Sequence, residues 1–198
     1  MNYYVVKYSG PFGFIKPWTA VRDIETFSQQ FLTPSIVEGI EKKLFPELLQ
    51  EVTAGIKKIQ RHKLNYVGMD TQQEKTWSKG GFKAKKKKDS LNRVYYQAEN
   101  IAIIKRGVLL NPHLYLAFAD KEDSEVAASQ HICLCRNEDI LLPLEVLKMD
   151  KKEFAEIEGF ELLFDNTELS FKVGFNRFND GSEMYGELKV TDNPIRNQ

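Results

Sequence analysis

Residues 33–48, Thr33-Pro34-Ser35-Ile36-Val37-Glu38-Gly39-Ile40-Glu41-Lys42-Lys43-Leu44-Phe45-Pro46-Glu47-Leu48, decide the class of fold. Thr33 or Ser35 can cap a helix here, and Pro34 suits a first turn, where a missing N–H costs nothing. Ile36, Val37, Ile40, Leu44 and Leu48 recur at helical spacing, so one face of this helix lies on a core. Gly39 sits inside it. An interior glycine costs about 1 kcal/mol against alanine, which points to close approach of another backbone.

Strand signals lie on both sides of this helix. Upstream, Tyr3–Ser9 alternates Tyr, Val and Lys and is ended by Gly10-Pro11. Phe12–Thr33 is irregular and aromatic-rich, with Trp18 read as folding over the core. Downstream, Gly55–Tyr66 reads as a second strand. Val67–Asn92 has little apolar periodicity, and a segment that long in a compact domain is functional or disordered. Arg93–Ile104 alternates again and predicts the returning arm of a long hairpin. Leu114–Phe118 reads as a buried strand, Ser124–Gln130 as a short helix and Ile132–Leu147 as strand. Phe160–Val190 holds two or three strands around the turn Asn179-Asp180-Gly181, with Phe160, Phe164, Phe171, Phe175 and Phe178 as their core.

This order predicts an α+β chain built on a ferredoxin-like, RRM-like antiparallel sheet. The expected division is a domain over 1–150, with a projecting basic β-hairpin at about 65–104, and a β-rich C-terminal extension over 151–198 packed on it.

The 28 Lys and Arg match the 28 Asp and Glu in number but not in place. Residues 1–106 hold 19 basic and 10 acidic residues; residues 107–198 hold 9 and 18. Phosphates respond to the local field, so the basic half points to a nucleic-acid partner despite the neutral total. The excess is densest at Lys79-Gly80-Gly81-Phe82-Lys83-Ala84-Lys85-Lys86-Lys87-Lys88, a composition that cannot form a core. Trp77 and Phe82 interleave with it, and aromatics stack on unpaired bases. The candidate RNA-binding residues are Lys16 and Arg22 in the loop after the first strand; Lys57, Lys58, Arg61, His62 and Lys63 in the second strand; Lys79, Phe82, Lys83, Lys85, Lys86 and Arg93 in the hairpin; and Lys105 and Arg106 before the next strand. The acidic half would repel RNA and is expected to face outward or dock on a basic protein neighbour.

Other classes of function find little support. A globule of 198 residues buries roughly 70% of its extended-chain surface and needs no disulfide or metal staple. No stretch approaches the ~20 apolar residues of a membrane span, and the N-terminus lacks the pattern of a signal peptide. Cys133 and Cys135 fall on one face of an alternating run and read as buried, reduced thiols, which predicts a reducing cytoplasm. Only His131 offers itself as a further metal ligand. Asp120, Glu122 and Asp123 read as a solvated loop, His113 as a turn residue, and Arg136 as a partner of Glu138. No Walker loop, zinc constellation or nucleophile elbow is present, so neither cofactor nor metal is expected.

Three segments resemble the Cas-five family, RAMP-superfamily subunits of multisubunit CRISPR effector complexes. Tyr8-Ser9-Gly10-Pro11-Phe12-Gly13-Phe14-Ile15-Lys16-Pro17, followed by Pro34-Ser35-Ile36-Val37-Glu38-Gly39-Ile40, is similar to the family's opening strand, glycine turn, aromatic loop and helix. Lys105-Arg106-Gly107-Val108-Leu109-Leu110-Asn111-Pro112-His113-Leu114-Tyr115-Leu116 looks like its Asp/Asn-Pro and apolar-strand segment, and Cys133-Leu134-Cys135-Arg136-Asn137-Glu138-Asp139 is a weaker match. The resemblance covers about residues 3–147, and 67–92 falls where the family has a thumb. It implies a subunit that grips the five-prime handle of the crRNA, caps the backbone filament, and contacts a neighbouring backbone subunit and the large subunit. One branch of that family also cuts repeat RNA without metal, using a late-helix Tyr and a Lys-His pair. Here Phe45 stands at the Tyr position and the segment 120–131 is short and acidic, with Lys121 and His131 apart. The resemblance therefore implies no catalytic residue, with a metal-independent endoribonuclease (His131 as a displaced base) and a protein adaptor using a basic arm as the alternatives.

Overall fold

A computed structural model of the chain describes residues 2–19, 24–50, 55–77, 83–99, 101–164 and 167–195. In chain order the elements are β1 (Asn2–Ser9), β2 (Phe12–Gly13), β3 (Glu25–Phe27), α1 (Pro34–Leu44), a 3-10 turn (Pro46–Gln50), β4 (Ile59–Asn65), β5 (Gly68–Trp77), β6 (Ala84–Lys88), β7 (Val94–Ala98) and β8 (Ile101–Leu110). They continue with β9 (His113–Phe118), α2 (Lys121–Ala128), β10 (Ile132–Cys133), β11 (Ile140–Asp150), α3 (Lys151–Glu156), β12 (Gly159–Leu163), β13 (Phe171–Asn176) and β14 (Ser182–Thr191). The chain is mixed α and β, mostly antiparallel sheet with few helices.

Eight strands form one sheet in the order β10-β11-β1-β9-β4-β12-β14-β13, each neighbouring pair antiparallel. Alternation along β1 sends side chains to two separate cores. Val6 and Tyr8 join Val37, Ile40 and Leu44 of α1, together with Leu114, Leu116 and Phe118 of β9. Tyr3 and Val5 point the other way and join Tyr115, Ala117 and Phe154, the last from α3. The central strands are thus covered on both faces.

The helix α1 is anchored by two buried carboxylates. Glu41 accepts hydrogen bonds from the backbone N–H groups of Lys57 (2.9 Å), Lys58 (2.6 Å) and Ile59 (2.7 Å), fixing the start of β4. Glu38 accepts from the Gly55 N–H at 3.1 Å and from Lys42 Nζ at 2.7 Å. Neither Thr33 nor Ser35 caps the helix with its side chain; Ile36 and Val37 donate their N–H groups to the Thr33 carbonyl instead. What lies against Gly39 is the guanidinium of Arg177, a side chain and not a backbone. The helix α3 goes beyond the sequence reading. Its start is a capping box: Asp150 accepts from the N–H groups of Lys152 and Glu153, and Glu153 accepts from that of Asp150.

The C-terminal segment joins the sheet edge to edge, β12 pairing with β4 at Phe160↔Leu64 and β14 pairing with β12 and β13. Of the five phenylalanines expected to form its core only Phe160 is buried, stacked on Tyr66 with centroids 6.1 Å apart. Phe164, Phe171 and Phe175 are exposed and Phe178 is half-buried, each of the first three touching a single ring from elsewhere: His62, Phe31 and Trp18. Trp18 is likewise exposed; it packs edge-on against Phe175 and not over the main core. Cys133 is half-buried and Cys135 exposed, since β10 ends at Cys133 and the chain turns away from the core. Among the described residues no helix is long and apolar enough to cross a membrane.

Candidate nucleic-acid interface

The segment between β4 and β9 is a long two-part hairpin. β5 pairs with β8 from Gly68↔Leu110 to Trp77↔Ile101, and β6 pairs with β7 from Ala84↔Ala98 to Lys88↔Val94. Ten paired residues at ~3.4 Å rise make the β5–β8 stem about 34 Å long. β2 and β3 flank β8 on its other edge, β3 in parallel. The tip is closed by local chemistry. Asp89 accepts from the N–H groups of Leu91 and Arg93, both at 2.9 Å, and Asn92 adopts φ 60°, a conformation Asn tolerates. The Arg93 guanidinium donates to Asp89 at 2.7 Å, and this holds the Asp89 carboxyl below its ordinary pKa. Arg93 is therefore a turn-closing residue that remains exposed on the tip.

Register determines what the tip presents. Lys86 lies opposite Tyr96 and Lys88 opposite Val94, whereas Lys87 lies opposite Tyr95 and Lys85 opposite Gln97. Cross-strand partners share a face and successive residues alternate, so each face carries two lysines and one tyrosine. All of β6 is exposed, and Tyr95 and Tyr96 are 46% and 69% exposed. Lys85 lies 3.7 Å from Glu99, which, with Asp89, is one of two carboxylates against six cations over 83–99. The two tyrosines were missed in the sequence. Their signal, Tyr-Tyr in the returning arm opposite a lysine run, becomes readable only once the register is known. Arg22, Lys79 and Phe82 lie outside the described residues.

The stem is clamped to the body. The Arg136 guanidinium donates to Asp139 (2.6 and 2.9 Å), to Gln72 (3.1 Å) and to Glu74, and lies 5.3 Å from the centroid of Phe14. Glu138, its expected partner, contributes at 3.4 Å. Arg106 shares this cluster, 3.7 Å from Glu74 and 5.6 Å from Phe14. In the described structure it helps to anchor the hairpin stem. Lys105 and Lys16 are exposed.

The basic cluster of the second strand is corrected more sharply. β4 is an interior strand, so Arg61, His62 and Lys63 are largely covered, and Arg61 and Lys63 are paired internally. Lys58 Nζ donates to Asp123 at 2.6 Å over the Phe45 ring, and that contact raises its pKa. Arg61 forms a bidentate pair with Glu161. His62 is 3% exposed and stacked on Phe164; burial, helped by the Arg61 charge, pushes its pKa down to about 3. Lys63 is 0% exposed and donates to the Ala155 (2.8 Å) and Ile157 (2.5 Å) carbonyls at the end of α3 and to Thr191 Oγ1 (3.0 Å). Burial lowers its pKa to about 8. Lys57 is exposed, with its backbone held by Glu41. Charges of the two biased halves pair with one another in the body, as in Lys58–Asp123, Arg61–Glu161 and Lys7–Glu145. The hairpin tip is where the cationic excess stays exposed.

Comparisons with known proteins bear on the fold. No family model matches the sequence, and no curated protein matches it. A solved chain titled "CRISPR RNA-guided surveillance complex" is similar in structure, with a TM-score of 0.54 at 10% identity, over 97% of this chain and 91% of that one. At that identity the likeness is one of fold.

Proposed function

We propose that this chain is a non-catalytic RNA-binding subunit of a multisubunit CRISPR effector complex, related to the Cas-five family. In this reading β11-β1-β9-β4, crossed by α1 and α2, is a ferredoxin-like RAMP core. The hairpin is its thumb, which inserts beside the crRNA at the five-prime handle and kinks it. The body caps the filament and contacts a neighbouring backbone subunit and the large subunit. The observation that carries the reading is the tip with lysines and a tyrosine on each of two exposed faces. Lysines neutralise phosphates and tyrosines stack on unpaired bases, so a two-faced tip suits a single strand wrapped around it. The strand order and the full-length likeness to a surveillance-complex chain agree with the assignment.

The test is RNA affinity. Reversing Lys83, Lys85, Lys86, Lys87 and Lys88 to Glu should abolish retention of a handle-containing RNA while the thermal unfolding midpoint stays unchanged. Equal retention by the variant would exclude the thumb role. Salt dependence separates this from the adaptor reading, because each released phosphate contact contributes about −0.7 to the log–log slope for a single strand. For the endoribonuclease alternative, Phe45 has no hydroxyl and lies in the core beneath Lys58. Incubation with a repeat transcript in EDTA should leave the RNA intact; a specific cut would overturn the non-catalytic reading.

A further inference from the structure

The residue Arg177 follows β13, and its guanidinium lies against α1 at Gly39, where any Cβ would collide with it. The ring of Phe178 holds it from another side, 4.7 Å away. The body's cations Lys58, Arg61, Arg136 and Lys172 each meet a carboxylate, and the buried Lys63 is held by two carbonyls and Thr191 Oγ1. Arg177 instead faces a cleft of about 280 Å³ between α1, the segment 133–137 and the β13–β14 turn. Lys43 lines the same cleft, its Nζ held by the His131 carbonyl. Among the described lining residues none is acidic. The rest of the wall combines the apolar side chains of Ile36, Ile40 and Leu134 with the thiols of Cys133 and Cys135.

An ordered guanidinium without a carboxylate is a preformed half of a charge-assisted pair. Gly39 makes this arrangement possible at the expense of helix propensity, a cost of about 1 kcal/mol. A cleft whose lining combines two cations with branched aliphatics matches a ligand that carries both an anionic group and a flat, largely apolar one. We infer that this cleft holds one nucleotide, with its phosphate on Arg177 and Lys43 and its base against Ile36, Ile40 and Leu134. The inference deepens the RNA-binding reading and rests on it. The nucleotide is a residue of the bound strand or a free nucleoside monophosphate.

The two thiols report on the cleft directly. In the whole chain, the rate of maleimide labelling at Cys133 and Cys135 is measured alone, with saturating oligouridylate, and with uridine monophosphate. Protection by the oligonucleotide alone assigns the site to the strand; protection by the mononucleotide assigns it to a free ligand; either supports the cleft. Arg177→Gln should remove the protection and weaken RNA binding about tenfold, the loss of one charged hydrogen-bond contact. Gly39→Ala, which favours the helix but displaces the guanidinium, should do the same without lowering the unfolding midpoint. Labelling rates indifferent to both ligands, or protection that persists in Arg177→Gln, overturns the inference. Lys86→Glu with Lys88→Glu serves as the control. If that pair weakens RNA binding while neither ligand protects the thiols, the cleft alone is refuted; if the pair leaves RNA binding unchanged, the RNA-binding reading falls.

Discussion

At the scale of single residues, β4 carries the sharpest consequences. His62 is neutral in the folded chain, its pKa held at about 3 by burial, while the unfolded chain protonates near 6.5. Below that value the unfolded state binds a proton that the folded state refuses, so stability falls as the pH drops from about 6.5 towards 3. By pH ~5 the loss is roughly 2 kcal/mol. A His62→Phe chain, which keeps the stack on Phe164, should lose that slope in urea melts taken from neutral to acid pH; an unchanged slope would mean that His62 protonates freely in the fold. Lys63→Met should destabilise by about 1–3 kcal/mol, because it strands the Ala155 and Ile157 carbonyls without their donor. Sequence alone could not show the burial of Arg61, His62 and Lys63, for a specific reason. Charge is visible in a strand, but the partners that neutralise it (Glu161 and the end of α3) lie about a hundred residues away.

Among the elements, the hairpin divides into a tip with no packing and a stem with a clamp. Changes at the tip should leave stability within about 0.5 kcal/mol while altering binding. Tyr96→Ala should cost ~1–3 kcal/mol of RNA affinity if one base stacks there, read by fluorescence anisotropy; Tyr95→Ala tests the opposite face. The clamp should behave in reverse. Arg136→Met leaves the fully buried Asp139 unpaired, and breaking such a pair costs about 3–5 kcal/mol. Chemical denaturation reads this loss, and a double-mutant cycle with Glu74→Gln should show coupling between body and stem. Much of this element was legible beforehand: Val94-Tyr95-Tyr96 and Ile101–Ile104 alternate, and the glycines and lysines mark a departure from the core. The strand β5 was not, because Gly68–Trp77 is polar on both faces and carries no apolar period. Its strand character comes from pairing with β8.

For the molecule as a whole, helix α1 and the strands around it were readable from apolar spacing, whereas the sheet order was not, since pairing partners are set by tertiary contact. That order alternates pieces of chain from either side of the hairpin: β11, β9 and β12 follow it, and β1 and β4 precede it. A protease that cuts lysyl bonds should attack the exposed run 83–88 first. The nicked product would then consist of two fragments interleaved strand by strand, each one's edges occupied by the other. They should co-elute as a single particle under native conditions and separate only in denaturant. Two halves produced as separate polypeptides should likewise find each other and reconstitute the sheet, with the break falling in a two-stranded ribbon outside the main sheet.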